Sequence, residues 1–119
     1  MKDMGTELPG LERVRVHFLK VLQERHEKIA THAVMAWDGA DQDTINTNLA
    51  GAQAVLHQIA GSAGSLGYDD LGSEARRCET EIIAHLRSDA AQSPDCPGYL
   101  IMELDGFVTR CQEILAQDA

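Results

Sequence analysis

Residues Thr44–Tyr68 read TINTNLAGAQAVLHQIAGSAGSLGY, 25 consecutive positions without an Asp, Glu, Lys or Arg. The rest of the chain supplies all of its charge, 10 basic and 19 acidic side chains. Within the stretch, Ile45, Leu49, Ala52, Leu56, Ile59, Ala63 and Leu66 recur in alternating steps of four and three. That spacing is the seam of a helix packed in an antiparallel bundle. Asp43 or Thr44 is the expected N-cap and Gly67 the stop. A single imidazole, His57, stands in the middle. At 100° per residue it projects roughly 130° from the centre of the seam, toward solvent.

The same 3.6-residue periodicity recurs three more times. Leu11, Val14, Phe18, Val21, Leu22, Ile29, Ala33 and Trp37 mark a first helix over 11–37, begun at Pro9 and Gly10. The central seam predicts a second helix over 44–66. Leu71, Ala75, Cys78, Ile82 and Leu86 mark a third over 70–87, opened by Asp69 and Asp70 at the positive end of its dipole. Leu100, Leu104, Phe107, Cys111 and Ile114 mark a fourth over 98–117. Nothing alternates with the period of a strand. The expectation is an all-α, up-down antiparallel four-helix bundle, one domain over 1–119. Phe18 and Trp37 read as core anchors, and His17, His26 and His32 as solvated or boundary residues of the first helix.

Composition narrows the function. The chain has 119 residues, 44% of them apolar and 24% charged, ordinary usage for one globular domain. A formal charge of −9 repels a phosphate backbone and argues against nucleic-acid binding. No apolar run is long enough to span a bilayer. The first ten residues, MKDMGTELPG, lack the apolar core of a secretion signal. Three cysteines without motif spacing fit reduced thiols. The missing signal and the reduced thiols lead us to expect a cytoplasmic chain; a freestanding chain and a monomer are further expectations that these features do not themselves fix. The acidic balance leaves a Mg²⁺ site or a basic protein partner open, but a di-iron reading finds no support. A carboxylate-bridged di-iron site needs Glu three residues before a His, and those positions hold Val14, Gln23, Ile29, Ala54 and Ile82. Glu81 and His85 are spaced as a surface pair, more often a solvated interaction than a metal site.

The surroundings of His57 are small. Gly61 lies one turn on, flanked by Ala60 and Gly64, with Gln53 and Ala54 one turn back. A glycine inside a helix costs about 0.8–1 kcal/mol relative to alanine. A solvent-facing helix position ordinarily carries Glu, Lys or Ala. Glycine here points to a second molecule that must come close to the imidazole. A neutral imidazole is nucleophilic near neutral pH and carries covalent intermediates. The bland reading is a surface histidine beside glycines that let a neighbouring helix pack; Gly61 lies away from the seam, which weakens it.

At His57, Gly61, Ser62 and Gly67 the sequence resembles the histidine-containing phosphotransfer (Hpt) domain, whose pattern is His-x-x-Lys-Gly-Ser-x-x-x-x-Gly on the second helix of a four-helix bundle. Leu71 and Cys78-Glu79 extend the likeness along the chain. The resemblance implies a phosphorelay carrier: His57 accepts a phosphoryl group from the aspartate of a response-regulator receiver domain and passes it on, with a hybrid sensor kinase upstream. It implies no cofactor on this chain, the Mg²⁺ belonging to the receiver, and no autonomous kinase activity. Gly61 and Gly64 would be the close-approach positions, and Gln53, Ala54, Gln58, Ala60 and Ser65 the receiver docking face. One position departs from the pattern. Ala60 stands where the family places Lys or Arg beside the phosphoryl group. Arg76 on the third helix is the preferred substitute, Arg77 or a cation from the partner the others. The departure leaves open a receiver-binding module that accepts no phosphate, or a structural helical subunit.

Overall fold

Short links force consecutive helices to run antiparallel, and the chain folds accordingly. The computed structural model describes residues 9–118. Four helices follow in order: α1 (Pro9–Trp37), α2 (Gln42–Ala63), α3 (Asp69–Leu86) and α4 (Gly98–Asp118). Among the described residues there is no strand. Helix α2 packs on α1 and α3, α4 packs mainly on α1, and the α3–α4 seam is the lightest. This is the four-helix bundle that the periodicity predicts. The core is built from Leu22, Ile29, Ile45, Leu49, Leu56, Ile59, Leu71, Ile82, Leu100, Leu104 and Phe107, all nearly or fully excluded from water. Cys78 and Cys111 belong to it too. Burial pushes their thiols up to about 11 and about 12. They act as small apolar residues.

The boundaries near His57 differ from the sequence expectation in ways that chemistry explains. Helix α2 begins at Gln42 because Asp41, not Asp43 or Thr44, is the N-cap. Its extended backbone (φ −142°, ψ 165°) lets the carboxylate accept the Thr44 N–H at 2.8 Å. That bond holds the Asp41 carboxyl below its ordinary range. At the other end the α-helix stops at Ala63, and Gly64–Leu66 forms a single 3₁₀ turn. Gly64 is therefore a C-cap rather than a helix-interior glycine, and the interior penalty does not apply to it. Gly67 then turns the chain at φ 89°, a left-handed conformation that suits glycine. Its N–H bonds to the Gly64 carbonyl and the Tyr68 N–H to that of Ala63. This tight reversal fixes α3 directly against α2. The longer link before α4 contains a 3₁₀ turn at Asp89–Gln92. The Ala91 carbonyl there accepts from the Asn46 side chain at 2.8 Å, tying the loop to α2.

Helix α1 departs most from its reading. Phe18 is buried and stacks on Tyr68, with ring centroids 5.2 Å apart. Trp37 is not a core anchor: it is 58% exposed and lines an open groove with Val34, Ile101 and Leu104. Leu11 and Val14 are exposed as well. Conversely His26 is buried, its Nδ1 hydrogen-bonded to the Leu22 carbonyl at 3.1 Å. His85 on α3 is also buried, which removes it from any surface pair with Glu81. No helix is long and apolar enough to cross a membrane among the described residues.

Candidate functional site

His57 lies in the C-terminal half of α2, on the outer lip of the α2–α3 seam. Its side chain is 75% exposed, and yet it is held. Nδ1 sits 2.9 Å from Oε2 of Glu79, which reaches it from α3. Gln53, one turn earlier on α2, donates from Nε2 to the same oxygen at 2.8 Å. Glu79 itself is buried. A buried carboxylate requires hydrogen-bond donors, and here the donors are an imidazole and an amide. An ionised carboxylate can only accept, so Nδ1 carries the hydrogen. In the neutral ring that tautomer leaves the lone pair on Nε2, the ring atom that faces away from the protein's own bond.

The ground around the ring is open. A Cβ added at Gly61 would meet nothing within 4 Å among the described residues, so none of them demands glycine there. At Gly64 it would meet only Asp69 Oδ1, at an ordinary 3.5 Å. Ala54, Gln58 and Ser65 are exposed along the same side. Gln53 is half-buried and already engaged with Glu79.

Ala60 does not lie on the outer face with them. It is 8% exposed and forms part of the core against α3. The reason is the closeness of the two helices at this level. A Cβ added at Gly72 would lie 3.5 Å from Ala63 Cβ and 3.8 Å from the Ala60 carbonyl oxygen. A docking face drawn from the sequence must therefore lose Ala60. The two arginines of α3 are also separated. Arg77 points toward α4 and is engaged by Glu74, Glu81 and Glu103. Arg76 is exposed and forms no ion pair among the described residues.

Glu79 is the residue at this site to which the sequence gives no role beyond the Cys78-Glu79 likeness. The signal in the sequence is weak: Glu79 adjoins the Cys78 and Ile82 stripe, but so does the exposed Arg77, and adjacency alone does not single out a buried carboxylate. The uncharged stretch of α2 conceals the partner of Glu79, because no Lys or Arg is there to complete a recognisable pair.

Fold and site together define a class: a helical scaffold that presents one imidazole to solvent, braced from behind by a carboxylate. The sequence model of one family of that class, the Hpt domain, matches residues 13–117. The chain belongs to the Hpt domain family, and membership gives it a phosphotransfer role in two-component signalling, alongside receiver and kinase domains. No curated protein and no solved structure matches the chain.

Proposed function

We propose that the chain is a phosphorelay carrier in the cytoplasm and that Nε2 of His57 is its phosphoryl acceptor. The observation that carries this reading is the pairing of 75% exposure with a fixed Nδ1–carboxylate bond. In the forward step the Nε2 lone pair attacks the phosphorus of a receiver's aspartyl phosphate. The N–P bond forms, the P–O bond to the aspartate breaks, and the aspartate leaves as a carboxylate. The ring keeps its Nδ1 hydrogen and becomes positively charged. Glu79 faces that charge across the same hydrogen bond, and so stabilises the ring as it forms. In the return step a carboxylate of the next receiver attacks the phosphorus and the imidazole leaves neutral. Phosphoryl transfer asks chiefly for position and charge stabilisation. The bundle supplies position, Gly61 clearance, and Ala54, Gln58 and Ser65 a surface without charge. Mg²⁺ is supplied by the receiver, so no cofactor is held here.

Ala60 motivates a second reading, a bundle that docks receivers without taking phosphate. Incubation with radiolabelled phospho-receiver separates the two. Acid-labile, base-stable label on the wild type, absent from His57→Gln, is the expected result. Binding without label would establish the docking module instead.

A further inference from the structure

We propose that Arg76 of α3 binds the phosphoryl group of phosphorylated His57 across the helix seam; the inference rests on His57 being the acceptor. A phosphoryl group on Nε2 brings close to two negative charges to a surface whose nearest ionisable neighbour is the carboxylate of Glu79. Helix α2 offers no cation of its own, nor does the chain from its end to Tyr68. The compensating charge must come from α3 or from another molecule.

The register of the seam points to Arg76. Glu79 lies across from His57, and Gly72 across from Ala63 and Gly64. Arg76 falls between them, level with Ala60 and Gly61, about 4.5 Å along the axis from Glu79. At 100° per residue its side chain is about 60° from that of Glu79. The displacement is away from Ala75, Cys78 and Ile82, which face the core. Arg76 therefore occupies the solvent lip of the groove on which His57 stands. Its guanidinium is uncommitted there, with no ion pair among the described residues, whereas Arg77 is bound by three carboxylates on the opposite side. Gly61 leaves the intervening ground clear. A guanidinium suits the task, since its planar fork pairs two N–H donors with two phosphoryl oxygens.

The test uses phosphoramidate as a chemical donor, which removes docking from the measurement. Nε2 attacks its phosphorus and ammonia leaves. Wild type, Arg76→Ala, Arg76→Lys and His57→Gln are phosphorylated, freed of donor, and followed by ³¹P NMR at low and at 0.5 M salt. The expected result is a phosphohistidine lifetime about threefold shorter in Arg76→Ala, the scale of one exposed ion pair, largely kept in Arg76→Lys, with the gap closing at high salt. Equal lifetimes in wild type and Arg76→Ala at low salt would overturn the role of Arg76 and leave His57 standing. Failure of wild type to acquire any phosphohistidine, or equal labelling of His57→Gln, would overturn the acceptor and Arg76 with it.

Discussion

The two edges of α2 each hold a histidine by its Nδ1, and they do so to opposite ends. On the α3 side, His57 bonds to the Glu79 carboxylate and leaves its far nitrogen in water. On the α1 side, His32 bonds to the Asn48 amide oxygen at 3.0 Å and lays its ring on Gly51. A Cβ at 51 would stand 2.5 Å from His32 Cε1 and 2.7 Å from Nε2. The glycines beside the two rings therefore mean different things. Gly51 makes room for a side chain of the same molecule. Gly61 has none of the described residues against it, so the room it makes is left for something else. A glycine becomes informative about function only when the chain's own packing does not use it.

Substitutions at the two partners should separate these edges most sharply. Glu79→Ala removes the acceptor that orients His57, and phosphoryl transfer from a phospho-receiver should slow on the order of tenfold, the rate equivalent of a charge-assisted bond of about 1.5 kcal/mol. Asn48→Ala removes the corresponding partner of His32 and should lower the denaturation midpoint while leaving the transfer rate within about twofold. A slowed transfer in Asn48→Ala with Glu79→Ala unaffected would reverse the assignment of the two edges.

The glycines give the next largest contrast. Gly51→Ala forces the His32 ring aside and with it the Asn48 bond, and should cost about 1–3 kcal/mol in urea unfolding. Gly61→Ala meets no atom and should stabilise by about 0.5–1 kcal/mol, the ordinary helical preference for alanine. The same variant should weaken receiver-dependent transfer, whereas phosphorylation by phosphoramidate should be unchanged. Destabilisation by Gly61→Ala would show that the chain itself needs the glycine.

His85 sets a smaller, third case: a buried ring with no hydrogen bond from its side chain to the described residues. Burial lowers its pKa below the ordinary 6.5. The fold therefore prefers the neutral ring, and the associated stability is complete above the unfolded value. It falls as pH drops through about 6.5 toward the lower folded value, by at most about 1.4 kcal/mol per pH unit. His85→Gln should flatten that part of a stability–pH curve. An unchanged slope would mean that the ring takes up its proton without loss.

The sequence exposed the bundle because apolar spacing and caps are local signals. Ile45 to Leu66 on α2 and Leu71 to Leu86 on α3 repeat at helical intervals whatever the rest of the chain does. His57 and Gly61 were legible for a related reason: one helix wheel sets the imidazole outward and the glycine below it. What stayed hidden depended on two helices at once. The bond of Glu79 to His57, the burial of Ala60 beneath Gly72 and the diversion of Arg77 toward Glu103 are matters of register between α2, α3 and α4. Trp37 misled because a large apolar residue at the right spacing still lies outside the core when it falls on the last turn of its helix.

The central claim concerns a single atom, and nitrogen-resolved NMR of His57 addresses it directly. In the unmodified protein the long-range proton–nitrogen spectrum should show Nδ1 protonated and Nε2 bare. After phosphorylation, the phosphorus coupling should appear at Nε2. Coupling at Nδ1, or at the nitrogen of another histidine, would contradict the account.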